Sequence, residues 1–204
     1  MLEKLAKQTA VYGISTIAVR FLSYLLTPVF TRVFEPEAYG IVTDVYALIP
    51  FALVVLTMGL ESAYFRFAAK ADAAAAAAGG TEGEIAARAR AGKRRLFATA
   101  WGVTLLAASL FFLLTAFGRE RVAEWMGEAY VAHPEYVLLV AAVVWFDVAA
   151  CLPFSRLREQ GRAMTFVGIK ALGVVVNVAL AIGFALAGLY GTPFGVGWVF
   201  VANL

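Results

Sequence analysis

The chain has almost none of the residues that carry metal or redox chemistry: its 204 residues include one cysteine, Cys151, and one histidine, His133. A lone cysteine excludes an internal disulfide, and no Cys/His cluster has metal-ligand spacing, so no metal site and no cofactor is expected. His133 sits in a polar connection and reads as a solvated side chain. Charge is scarce too. Only 15% of residues are charged against 62% hydrophobic, far from the soluble norm of about half apolar and a quarter charged. That excludes an ordinary soluble domain and marks an integral membrane protein. At a net charge of +3 the placement of basic residues matters more than their sum, and no nucleic-acid partner is expected. P-loop, dinucleotide glycine fingerprint, G-x-S-x-G elbow and H-E-x-x-H are all missing. The paired Glu35 and Glu37 sit in a turn, where acidic residues are ordinary, so the chain is not expected to be an enzyme.

What is present is a series of long apolar runs. The first covers residues 8–31 and carries Arg20 near its middle. A spanning helix needs about 20 apolar residues. Ten of these positions are Leu, Ile, Val or Phe. Each is worth roughly 0.3 to 0.6 kcal/mol on an insertion scale, against roughly 2.5 to 3.5 for a central Arg, so insertion wins narrowly. The basic start, Met1 to Lys7, resembles a signal peptide, yet the run is too long and lacks an A-x-A cleavage site, so it reads as an uncleaved first span. At helical spacing Tyr12, Thr16, Arg20, Ser23, Thr27 and Thr31 share one stripe. Arg20 is either a structural arginine paired inside a bundle or a group lining a substrate cavity.

Further spans are expected over residues 38–60, 96–118, 136–155 and 163–189, with a sixth run over 194–204 too short to cross a bilayer. The fold expected is therefore an all-α, polytopic membrane helix bundle of five complete transmembrane helices plus a truncated sixth, as if the sequence were the front part of a longer protein. In the second span Thr43, Ala47, Pro50, Val54, Thr57 and Glu61 form a polar stripe with Asp44 beside it, and Pro50 predicts a kink. Residues 68–95 read as a soluble loop, alanine-rich and then basic, with a helical part around 84–95. Its basic run fits topology control and, secondarily, anionic headgroups. The third span has no charge and is expected to face lipid over much of its surface. Residues 119–135 suggest a short interfacial helix, with Val122, Trp125, Met126, Ala129 and Tyr130 on its apolar face. The fourth span puts Asp147, Cys151 and Ser155 on one face, and the fifth carries Lys170 and Asn177 on a stripe of small residues.

Orientation follows from the basic residues. With the amino terminus inside, Lys4, Lys7, Arg66, Lys70, Arg88, Arg90, Lys93, Arg94, Arg95, Arg156, Arg158 and Arg162 are all inside, and only Arg32, Arg119 and Arg121 are outside. Twelve against three is a strong positive-inside bias. A cytoplasmic amino terminus in a plasma membrane is the expectation.

Four spans thus carry ionisable groups on polar stripes, which describes a bundle around a hydrated cavity, as in membrane carriers. Here the chain resembles a known family. FTRVFEPEAYG, with GLESAYFRF at the end of the second span, looks like the amino-terminal part of the oligosaccharide (O-antigen/polysaccharide) flippases of the multidrug/oligosaccharidyl-lipid/polysaccharide exporter superfamily. Residues 158–180, REQGRAMTFVGIKALGVVVNVAL, resemble the fourth-to-fifth span connection of the same proteins. The long alanine-rich loop departs from their compact connection. The resemblance implies a two-lobed transporter of which this chain is one lobe, with the carboxy-terminal lobe of the same chain missing, and a bacterial inner-membrane location. It implies translocation of an undecaprenyl-pyrophosphate-linked oligosaccharide for surface polysaccharide biosynthesis. Partners are then the lipid-linked oligosaccharide and membrane lipids. Arg20, Arg66, Lys170 and Asn177 are the candidate substrate-binding residues of the cavity, and Asp44 and Asp147 the candidates for ion coupling. Arg20 and Asp147 share a similar depth and are expected to pair. The alternatives are a drug or small-molecule exporter of the same superfamily and a membrane enzyme acting on lipid-linked sugars.

Overall fold

The computed structural model describes residues 26–204 together with Ile17, so Arg20 and most of the first predicted span lie outside the described residues. Every regular element among them is a helix: α1 (Thr27–Val33), α2 (Pro36–Thr57), α3 (Leu60–Ala77), α4 (Glu82–Phe117), α5 (Arg119–Met126), α6 (Glu128–Val131), α7 (Pro134–Glu159), α8 (Ala163–Leu186), a 3-10 turn (Leu189–Gly191) and α9 (Gly197–Asn203). Four helical stretches are long and apolar enough to cross a membrane: Pro36–Ala77, Glu82–Phe117, Pro134–Glu159 and Ala163–Leu186. The chain is thus a multi-pass membrane protein, all-helical among the described residues. Of the five-plus-one spans expected, the first is represented by α1 at its end and the sixth by α9.

Proline and glycine set the boundaries. Pro28, Pro36 and Pro134 each begin a helix, where the missing N–H would be unsatisfied anyway. The helix expected to kink at Pro50 runs on through it without ending, and it stops at Met58 and Gly59, both left-handed at φ 49° and 68°. That break separates α2 from α3.

The alanine-rich tract is a second difference. Residues 68–77 complete α3 and residues 82–95 begin α4, so the predicted loop is a helical hairpin closed by a four-residue turn, 78–81. Alanine is the best helix former, and its small side chain lets two helices approach closely. A Cβ on Gly92 would meet that of Ala71 at 3.4 Å. In the turn Gly80 takes φ 116°, and a Cβ there would strike Glu84 Oε2 at 2.7 Å. Thr81 caps α4: its hydroxyl accepts from the Glu84 N–H, and its own N–H donates to Glu84 Oε2 at 2.9 Å. Hydrogen bonding from Thr81 to the carboxylate, by its backbone N–H first and by its side chain second, holds the Glu84 carboxyl below its usual pKa. Arg88 Nη1 ties the turn further, donating to the Gly79 carbonyl at 2.8 Å. At 36 residues α4 is about 54 Å long, well beyond a bilayer core of about 30 Å. The hairpin therefore projects from one end of the bundle.

At the opposite end α5 and α6 cap the core, joined at Gly127 (φ 121°). The predicted interfacial helix is thus two short pieces. Val122 and Met126 pack inward, Tyr130 is buried and donates to the Ile41 carbonyl, and Trp125 is exposed.

α7 is the central element. Val137, Ala141, Val144, Val148, Leu152 and Ser155 are buried along it at helical spacing. It meets Val42, Val45 and Ile49 of α2 on one side and the Ala100, Thr104 and Ala108 face of α4 on the other. Indole bonds lock that contact: Trp101 donates to the Ala149 carbonyl at 2.9 Å and Trp145 to Ser109 Oγ at 3.1 Å. Large apolar residues of α4, among them Leu106, Leu114 and Phe117, are exposed, as expected of a lipid-facing helix.

Thr81→Ala removes the reciprocal cap and should cost the start of α4 about 1 kcal/mol. Amide exchange in residues 82–85 should speed up while that around Thr104 does not change; unaltered exchange at the turn would show that the cap contributes nothing.

Candidate functional site

The charged residues at the hairpin end assemble into two linked groups. In the first, Lys93 of α4 reaches Asp72 of α3 and Glu159 of α7, each at 2.7 Å. Burial alone would lower the Lys93 pKa, but the two carboxylate bonds outweigh it and hold the ammonium above its usual value. Lys93 therefore stays charged and pins the hairpin to the end of α7.

In the second group, Glu61 at the start of α3 forms an ion pair with Arg158 of α7. Cys151 Sγ lies 3.5 Å from Glu61 Oε2. Arg158 Nη2 also donates to Ser155 Oγ at 3.2 Å, and the Ser155 hydroxyl donates to the Cys151 carbonyl. Phe65 and Phe166 flank the guanidinium at 5.6 and 5.7 Å from their ring centres. The buried Arg158 Nε finds no acceptor among the described residues. Lys170 of α8 stands beside this group, its ammonium 4.4 Å from the Phe154 ring centre. The result is two cations set among three aromatic rings, where cation–π contact holds the charges with donors left over for an anion.

The polar face continues along α7 from Arg158 through Cys151 to Asp147, at spacings that keep the three on one side of the helix. Asp147 is exposed and close enough to Lys170 and to the Tyr46 hydroxyl of α2 to interact electrostatically. The predicted Asp147 to Arg20 pairing lies outside the described residues. Among those described, the basic residue acting on Asp147 is Lys170.

The remaining candidates are distributed differently. Asp44 lies toward the opposite end, in a recess with Ala47, Trp125, Met126 and Tyr130. Burial, and then the Asp44 charge, push the Tyr130 phenol up to about 12. Arg66 is exposed on α3, apart from the Glu61 group. Asn177 ties α8 to α9, its amide donating to the Ala202 carbonyl at 2.9 Å. The threonines of the α2 stripe bond to their own helix, Thr43 to the Gly40 carbonyl at 2.8 Å and Thr57 to that of Val54 at 3.4 Å.

Arg158 is the residue that sequence reasoning misassigns. Ending the span at Ser155 puts it in a loop with Arg156, whereas α7 continues to Glu159. A signal for the longer helix exists: Asp147, Cys151, Ser155 and Arg158 extend one helical spacing.

These features define a multi-pass membrane protein whose central helix presents a polar, partly charged face beside cation–aromatic groups. Residues 5–196 match the family model for polysaccharide biosynthesis proteins, and the chain belongs to that family. Its role is accordingly in polysaccharide biosynthesis and export. No curated protein and no solved structure matches the chain.

Glu61 and Arg158 are each about a third exposed, between the surface and buried limits for ion pairs, so breaking the pair should cost about 1 to 2 kcal/mol. Glu61→Ala and Arg158→Ala should each lower membrane abundance and thermal stability. The exchanged pair Glu61→Arg with Arg158→Glu should recover much of the loss; a double variant as unstable as the sum of the two would remove the pair from the account.

Proposed function

We propose that the protein is a carrier, not an enzyme, and translocates an undecaprenyl-pyrophosphate-linked oligosaccharide across the bacterial inner membrane. The observation that carries this reading is the placing of Arg158 and Lys170 among Phe65, Phe154 and Phe166 in a polysaccharide biosynthesis family member. Guanidinium and ammonium groups suit a pyrophosphate, the first through paired donors and the second as a point charge. Flat aromatic faces suit sugar rings. A second lobe of the same transporter would close the cavity over this face, with Arg20 and Arg66 as further basic contributors.

The Glu61 to Arg158 pair gives the cycle a resting state. Phosphate entering beside Arg158 competes with Glu61 for the guanidinium, so loading exchanges one anionic partner for another. Asp147 and Asp44, further along, are the ion-coupling groups. The hairpin end is cytoplasmic in this scheme, in keeping with the basic-residue bias.

Loss of one charge-assisted contact is worth about 1.5 to 3 kcal/mol, or roughly tenfold to a hundredfold in affinity. Arg158→Lys and Lys170→Ala in the intact protein should therefore sharply reduce surface polysaccharide while membrane insertion is unaffected. In reconstituted vesicles the lipid-linked oligosaccharide should change leaflet and emerge covalently unaltered. Undiminished polysaccharide in both variants, or a chemically altered substrate, would overturn the proposal.

The orientation has its own test. With Cys151→Ser as background, a cysteine at Gly127 should react with an impermeant maleimide in intact cells and one at Gly80 should not. Preferential labelling at Gly80 would invert the topology.

A further inference from the structure

A second basic feature lies at the same end of α7 but on its other side. Arg156 and Arg158 are two residues apart, about 200° around a helix, so they point away from each other. Arg156 belongs to a pocket of about 460 Å³ lined by Phe97 of α4, by Pro153, Arg156, Leu157 and Gln160 of α7, and by Arg162 in the turn to α8. Phe97, Pro153 and Leu157 are half-buried and give it an apolar wall, while Gln160 and Arg162 are exposed. The Arg156 guanidinium sits over the Phe97 ring at 4.6 Å, a contact that fixes the charge and consumes none of its N–H donors.

Among the described residues no carboxylate lies within ion-pair distance of Arg156 or Arg162, whereas Lys93 and Arg158 are both paired. Depth completes the picture. Arg156 is 22 residues beyond Pro134, about 33 Å along α7, just past a hydrocarbon core of about 30 Å. Phe97 occupies the matching level on α4, directly after Lys93, Arg94 and Arg95. Two guanidinium groups above an apolar wall, without an ion pair among the described residues and at the level where headgroups begin, are complementary to an anionic amphiphile.

We infer that this pocket binds an anionic membrane phospholipid, its phosphate between Arg156 and Arg162 and an acyl chain along Phe97, Pro153 and Leu157. Inorganic phosphate shares the headgroup chemistry but has nothing to cover the apolar wall. The site is separate from the Arg158 and Lys170 face and does not rest on the transport reading.

Trp101 stacks on Phe97 with ring centres 5.7 Å apart, so its fluorescence reports on the pocket. In the intact protein reconstituted with phosphatidylcholine, brominated phosphatidylglycerol should quench Trp101 more strongly than brominated phosphatidylcholine does. The difference should vanish in Trp101→Phe. Arg156→Gln with Arg162→Gln should weaken the preference about thirtyfold, and Arg162→Gln alone about fivefold. Arg162→Gln changes an exposed turn residue and keeps the test decisive should the double variant misfold. Equal quenching by the two lipids, unchanged preference in Arg162→Gln, or full displacement by inorganic phosphate alone would overturn the assignment.

Discussion

The contact between α4 and α7 is the one on which the other helices depend. Inside a bilayer water does not drive helices together, so association rests on close packing and on bonds between them. Ala100, Thr104 and Ala108 provide a face with nothing larger than a threonine, and the Thr104 hydroxyl bonds within its own helix instead of waiting for a partner. α7 can then lie close enough for the Trp101 indole to reach the Ala149 carbonyl and the Trp145 indole to reach Ser109. With α7 held, its remaining faces receive α2, α3, α8 and α9. Bulky residues in the alanine and threonine positions would push out the element that positions every candidate group.

The charges obey a related constraint. An unpaired ionised group deep in a bilayer costs about 2.5 kcal/mol or more. Most of those along α7 lie toward the hairpin end, where Lys93 bridges two carboxylates and Arg158 meets Glu61. Pairing of this kind rarely adds much stability against an apolar alternative. Its consequence here is placement. Lys93 fixes the hairpin to α7, and the Glu61 pair fixes the base of α3 to the same helix, while α8 joins the cation–aromatic group through ring contacts alone.

Span positions were legible in the sequence because apolar length is a strong signal: α2, α7 and α8 each overlap their predicted spans closely. The end of α7 was not, since an arginine after an apolar run looks like a loop until its partner is known. Glu61 is that partner, 97 residues away in the chain. The hairpin was hidden for a different reason. Alanine-rich sequence carries no clear apolar stripe, so periodicity is silent, and high helix propensity with the Thr81 to Glu84 cap was the better guide. Asp147, Lys170 and Asp44 stand on the helices expected of them, but the sequence does not show that Asp44 lies near Tyr130 while the other two lie near each other.

Pro50 and Met58 illustrate how a local rule is overruled. Proline in a helix removes one hydrogen bond, and α2 accommodates the loss without ending. A left-handed methionine costs about 1 to 2 kcal/mol, yet that is where the helix breaks. The difference lies in the contacts made by the chain beyond each residue. Beyond Pro50 the chain still packs Leu53 and Leu56 against the core, so continuing the helix loses little. Beyond Met58 the chain must present Glu61 to Arg158, set Tyr64 against Phe97, and turn Ala71 of α3 toward Gly92 of α4. Those contacts all involve α3, and the left-handed step at Met58 and Gly59 is where α3 departs from the helical path of α2. The strain at Met58 is therefore maintained by the ion pair and the hairpin packing together, and the polar face of the bundle is a product of that break as much as of the residues that compose it.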